Sequence, residues 1–177
     1  TYFNIIINNK EKWIVSKSGS KKLEFQNYDI KVISEFNGSE FVGRLVENPI
    51  TNSLIPVLPA SFVTMDDGSG IVMSVPAHAP FDMQALYDIK KSNNALIKKI
   101  NLEDIKPITI INSNFTKIES EIKEADVKKN GNENQELIIP SSIFLEKYSI
   151  KDQTDPNLEK ATSDLYNFEF YNGIMND

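Results

Sequence analysis

Residues Gly68 to Asp82 read GSGIVMSVPAHAPFD. A glycine-flanked turn leads into a continuous apolar run, then into a proline-fixed loop and a carboxylate at a helix start. Gly68 and Gly70 carry no Cβ, so another backbone or a ligand can approach closely, and Ser69 between them offers a hydroxyl. Ile71–Val75 is predicted as a buried strand with Met73 and Val75 on one face and Val72 and Ser74 on the other. Pro76 and Pro80 stiffen the loop, so that His78 and Asp82 leave it in fixed directions. The following helix is expected to exclude Pro80, to begin at about Phe81 or Asp82, and to run to Lys91 with Met83, Leu86, Tyr87 and Lys90 on one side. Aliphatic walls with a few convergent polar groups suit a small cleft.

Residue types alone leave each of these positions a structural reading beside the functional one. Gly-Ser-Gly is a common turn. A histidine between two alanines can simply pack or sit on the surface. Asp82 can be a first-turn helix residue favoured by the macrodipole. Met73 and Val75 can be core residues as readily as pocket walls.

Upstream of this stretch, Tyr2–Ile7, Lys12–Ser16, Tyr28–Glu35, Phe41–Val46 and Ile55–Leu58 are short and rich in branched or aromatic residues. Turn-forming residues separate them, which predicts strands. Asn8-Asn9 and Asn37-Gly38 suit tight hairpin turns because both residue types tolerate positive φ. One short helical turn is expected within Gly19–Phe25. Closely spaced strands joined by turns suggest a barrel or a strongly coiled sheet.

Downstream, Ile108–Ile111 is predicted as another buried strand. Thr116–Lys129 reads as a charged amphipathic helix with Ile118, Ile122 and Ala125 inward, and Asn130–Gln135 as a surface connection. Pro140 suits the first turn of a helix through Lys147. Asp155-Pro156 opens a last helix in which Leu158, Ala161, Leu165 and Phe168 recur at helical spacing, and Gly173 ends it. With no internal repeat and no linker, the chain reads as one α+β domain, mainly β, over residues 1–177.

The composition excludes several chemistries. There is no cysteine, which removes disulfides, thiolate catalysis and Cys-ligated zinc. His78 is the only histidine, so imidazole-rich metal sites are excluded and any Ser–His–acid triad must use it as base. The formal net charge of −6 argues against a duplex-coating protein, since phosphate neutralisation supplies most non-specific nucleic-acid affinity. Arg44 is the only arginine, which leaves little capacity for reading bases, although a local patch can still hold one nucleic-acid end. No apolar run is long enough to span a bilayer and nothing at the start resembles a signal peptide, so a soluble cytoplasmic location is expected, with no membrane partner.

The segment Gly68–Asp82 also resembles the editing-domain signature of the class I aminoacyl-tRNA synthetases for leucine, isoleucine and valine. Val75–Asp82, VPAHAPFD, is similar to the archaeal leucyl version; bacterial-type leucyl enzymes usually carry an aspartate directly after the histidine, where this chain has Ala79. The resemblance extends to Glu11–Ser16, to Val42–Pro49 and Val57–Val63, and to Glu146–Gln153 and Asn157–Met175 near the far end. It implies the barrel-like fold of those editing (CP1) domains with peripheral helices. It also implies post-transfer editing: hydrolysis of the ester bond of mischarged tRNA(Leu) within a larger, ATP-using ligase. The physical need is a general limit for aliphatic pockets, illustrated by this class of enzyme itself: one methylene discriminates by only about 1–3 kcal/mol.

In the family the aspartate closing the signature holds the α-amino group of the mischarged amino acid, and Asp82 stands at that position. A carboxylate is a suitable partner for an ammonium in a partly dehydrated pocket. It fixes the ester carbonyl relative to an attacking water and so orients more than it transfers protons. His78 matches the motif histidine, with either water positioning or loop architecture as its role. Met73 and Val75 match pocket-wall positions. Gly68, Ser69 and Gly70 match a Gly-Thr-Gly that lies near the terminal adenosine. No metal and no cofactor in this domain are implied; the partners are the tRNA(Leu) 3′ end with its mischarged aminoacyl adenosine, and the remainder of the synthetase chain. The family pocket also uses a threonine-rich strand and loop that precede this region, and Thr1 is expected to begin just after it. Residues 114–134 look like a solvated helical insertion.

Two further classes compete with an editing hydrolase. One is a non-catalytic module that binds the tRNA acceptor end. The other is a β-rich hydrolase with a serine nucleophile and His78 as base, which lacks anything resembling a nucleophile elbow.

Overall fold

A computed structural model of the chain describes residues 1–92, 95–97, 100–115, 118 and 139–175. Apart from Ile118, the helix expected over Thr116–Lys129 and the connection Asn130–Gln135 lie outside the described residues. The chain divides into two units, one formed by Thr1–Met73 with Asn93–Leu102 and the other by Ser74–Ser92 with Glu103–Asp177. No helix among the described residues is long and apolar enough to cross a membrane.

The first unit is built on a three-stranded antiparallel sheet. β1 (Tyr2–Ile7) lies between β2 (Glu11–Ser16) and β3 (Ile30–Phe36). Asn8 and Asn9 both adopt positive φ, as expected for this hairpin, and set the register Ile7↔Glu11, Ile5↔Trp13 and Phe3↔Val15. Period-two alternation sends Ile5, Ile7 and Val15 into a small core against Phe3, Leu23 and Ile30.

α1 (Lys17–Phe25) follows β2 directly and spans nine residues, longer than the single turn expected. Ser16 explains the extension. Its hydroxyl accepts the Gly19 N–H at 2.9 Å, which satisfies one of the open donors of the first turn. The turn expected at Asn37-Gly38 is a 3₁₀ segment, Gly38–Glu40, because the Asn37 N–H donates to the Glu40 carboxylate in a capping box. The next two predicted strands shrink to three-residue partners, β4 (Leu45–Glu47) and β5 (Leu54–Pro56). Gly43 at φ 88° bends the chain just before β4, and Pro56 ends β5.

The second unit is helical. α2 (Pro80–Lys91), α3 (Pro140–Lys147) and α4 (Leu158–Asn172) pack on one another, and the short strands β6 (Ile111–Asn112) and β7 (Ile174–Met175) pair antiparallel. Pro80 and Pro140 both open helices, since the N–H that proline lacks would be unpaired there anyway. Pro80 is therefore inside α2, which corrects the later start expected from the sequence. Phe144, Ala161, Leu165, Ile143, Phe115 and Ile118 form the core, flanked by Phe168, Tyr148 and Ile150. Tyr148 donates to Asp164, and that carboxylate holds its phenol up to about 12. Gly173 ends α4 as expected, but at a negative φ. A Cβ there would meet the Glu169 carbonyl at 2.4 Å and Ile111 Cγ2 at 2.5 Å, so it is close approach that requires glycine.

The architecture is mixed sheet and helix. Among the described residues helix exceeds strand, which corrects the expectation of a mainly β chain, and the sheets are one three-stranded and two two-stranded, with no closed barrel. Two predicted buried strands differ most. Ile71–Val75 has no ladder partner among the described residues, and its four apolar side chains are about half exposed. Ile108 and Ile110 are exposed as well, and only Ile111 enters a ladder. An apolar run becomes a buried strand only where another strand or helix covers it.

Candidate functional site

The predicted site residues divide between the units: Gly68, Ser69, Gly70 and Met73 belong to the first, and Val75, His78 and Asp82 to the second.

In the first unit, the Gly68–Gly70 turn docks on the start of α1. The Ser16 N–H donates to the Ser69 carbonyl at 2.7 Å, and the Ser16 hydroxyl donates to the Met65 carbonyl at 2.6 Å. The Tyr2 hydroxyl donates to the Gly70 carbonyl at 2.8 Å, and the Gly70 N–H donates to the Asp67 carbonyl. Both glycines have positive φ, 52° and 72°. A Cβ on Gly70 would sit 2.7 Å from Ser16 Cβ, whereas one on Gly68 would face open space. The close approach foreseen from the sequence is thus made at Gly70 by the chain's own Ser16. The Ser69 hydroxyl lies 3.3 Å from the Ile71 N–H and 3.1 Å from its carbonyl. Met73 is 54% exposed and Val75, in the second unit, 53%, so neither is part of a core within this chain.

In the second unit, Pro76–Ala79 is a tight turn held from several sides. The His78 and Ala79 N–H groups both donate to the Val75 carbonyl, at 3.0 and 3.1 Å. The Ala77 carbonyl accepts the Ser141 N–H at the start of α3, at 3.0 Å. Asp82 falls in the first turn of α2, where a carboxylate complements the helix dipole. Its Oδ2 accepts the Val75 N–H at 2.6 Å, and the residue is only 7% exposed. Burial raises the Asp82 carboxyl above its ordinary value, and the bonds from the Val75 N–H and the Ser74 hydroxyl offset part of that rise.

His78 is buried, with both ring nitrogens engaged. Nδ1 lies 2.6 Å from Glu169 Oε1, and Nε2 accepts the Ile110 N–H at 2.9 Å, with the Ile111 N–H further off at 3.4 Å. A backbone amide can only donate, so Nε2 presents its lone pair and the ring proton sits on Nδ1, pointing at the carboxylate. This ring ties the motif loop to α4 and to Ile110, the residue before β6. A hydrolase using His78 as general base would need one of those nitrogens for a serine hydroxyl.

Glu169 was not foreseen from the sequence. It lies four residues beyond Leu165, so it falls on the buried stripe of α4, and an acidic residue in that phase is the signal that could have found it. Burial raises its carboxyl, and the hydrogen bond with His78 lowers it. Tyr166, one turn earlier on α4, was also missed. It is half exposed; burial raises its phenol, and the charges of Asp82 and Glu169 raise it further.

Comparison with known proteins agrees with the motif. A family profile described as the leucyl-tRNA synthetase editing domain matches residues 21–138. The leucine–tRNA ligase of Pyrococcus furiosus is 38% identical over 166 residues, 93% of this chain, and that of Archaeoglobus fulgidus is 37% identical over 172 residues, 94% of this chain. The chain spans 16% of the length of each. The crystal structure of GlLeuRS-CP1 superposes with a TM-score of 0.70 at 26% identity, covering 98% of this chain and 61% of that one. Signature, archaeal relatives and fold coincide, and the chain belongs to the leucyl-tRNA synthetase editing-domain family.

Proposed function

We propose that this chain contributes the post-transfer editing site of a leucine–tRNA ligase, hydrolysing the ester bond of mischarged tRNA(Leu). Asp82 carries the reading. It is a buried carboxylate in the first turn of α2, held by the Val75 N–H at 2.6 Å, at the signature position of a family whose described role is editing. A charge fixed in this way can take the α-ammonium of the bound amino acid and orient the ester carbonyl. Water then adds to that carbonyl, the bond to the ribose oxygen breaks, and the free amino acid and the terminal ribose hydroxyl of the tRNA are released. Met73 and Val75 supply apolar wall. Gly68, Ser69 and Gly70 match the positions that lie near the terminal adenosine in the resembled family. His78 serves loop architecture rather than water positioning, because both of its nitrogens are occupied.

The test is deacylation of isoleucyl- or norvalyl-tRNA(Leu) by the complete ligase carrying Asp82→Ala. Hydrolysis is expected to fall by about 100-fold, the scale of losing a positioning contact. Unchanged hydrolysis would remove Asp82 from the mechanism. Salt-sensitive binding of a CCA-ended stem by the wild-type ligase with no deacylation would favour the acceptor-binding module instead.

A further inference from the structure

Resting on the editing reading, we propose that Glu169 is a positioning residue for the hydrolysis, acting through His78 on the loop that carries Asp82. Three distant parts of the second unit meet at one imidazole: the loop at His78, Ile110 32 residues on, and Glu169 91 residues on. An imidazole free in water favours the proton on Nε2. Here that form would set two donors, Nε2–H and the Ile110 N–H, against each other. Glu169 selects the other tautomer by accepting from Nδ1 at 2.6 Å.

The tautomer reaches Asp82 through a short chain of bonds. The His78 N–H is held by the Val75 carbonyl, and the Val75 N–H is held by Asp82 Oδ2. A displaced ring therefore shifts the amide that aims the carboxylate. The opposite end of the arrangement is equally tight. Gly173 lets the α4 backbone at Glu169 and the Ile111 side chain pack where a Cβ would find them 2.4 and 2.5 Å away, so the spacing between Glu169 and the Ile110 amide has little slack.

Burial also distinguishes positioning from simple stabilisation. Glu169 is only 7% exposed and His78 9%. Apolar residues of similar volume are often as stabilising as a buried polar pair or more so, so what Glu169 and His78 provide beyond stability is a fixed orientation.

Two measurements test this. In this chain His78 is the only histidine, so ¹⁵N imidazole shifts report on it alone. A protonated Nδ1 and a bare Nε2 are expected in the wild type and in Glu169→Gln, and loss of that form in Glu169→Met, which keeps volume but removes the acceptor. A wild-type ring protonated on Nε2 would overturn the inference.

In the complete ligase, Glu169→Met is expected to lower the deacylation kcat at least about tenfold with KM within about twofold, because misaiming shows in the chemical step. Glu169→Gln should restore kcat to within about threefold of wild type. Wild-type kcat in Glu169→Met, or equal loss in both variants, would overturn the proposal. Asp82→Ala assayed alongside separates the two readings. Loss there with none in Glu169→Met removes only the role of Glu169, whereas full activity in Asp82→Ala removes the editing reading and the inference with it.

Discussion

The Val75 amide donates to Asp82 Oδ2 at 2.6 Å across a turn that contains Pro76 and enters α2 at Pro80. The carboxylate proposed to take the substrate ammonium is therefore also the brace that closes the turn before its own helix. Geometry and charge are two separable tasks of one side chain.

Asp82→Asn separates them. The amide oxygen can still accept from Val75, while the negative charge is gone. Deacylation should fall by about 100-fold, and urea denaturation should show a loss of no more than about 1 kcal/mol. Asp82→Ala removes both and should cost about 1.5–3 kcal/mol as well. Equal stability losses in the two variants would contradict the bracing role.

The raised carboxyls of Asp82 and Glu169 give a pH dependence of definite sign. In both, the folded value lies above the ordinary one, 3.8 for Asp82 and 4.5 for Glu169, with burial as the leading cause. Between the ordinary and raised values the folded chain binds more protons than the unfolded one. Their contribution to stability is full below the ordinary value and is lost as pH rises through the raised one. The proposed hydrolysis, with ionised Asp82 taking the substrate ammonium, should lose activity on the acid side above the ordinary aspartate value. A kcat/KM profile with its acid limb at or below 3.8 would contradict this.

Gly68→Ala and Gly70→Ala should rank in a fixed order. Both positions have positive φ, so each replacement carries about 1–2 kcal/mol of backbone strain. Only Gly70 also has Ser16 Cβ within 2.7 Å, and its variant should lose about 3 kcal/mol or more. Chemical denaturation of the two variants reads the difference directly, and a reversed order would sink this account of the turn.

Leu165→Ala tests the helical core. Leu165 is 0% exposed and packs among Phe115, Phe144 and Ala161. The expected loss is about 2–5 kcal/mol, the range for buried leucine truncation. Thermal melting of the variant should show it, and an unchanged melt would mean that the site collapses without cost.

Local chemistry was legible before the structure. The Asn8-Asn9 turn, the helix starts near Pro80 and Pro140 and the family signature all follow from dihedral preference or residue order, which a linear chain carries in full. Burial was not legible where it depends on a partner. Ile71–Val75 has the composition of a core strand, yet it is half exposed.

The sequence by itself determined the family and the candidate carboxylate, because both reside in one contiguous run, Gly68–Asp82. Only the tertiary structure decided what that run is fixed to. Glu169 and Ile110 come to His78 from elements far along the chain, and no spacing rule links them. The proton position on the imidazole follows from two hydrogen-bond partners that only folding brings together.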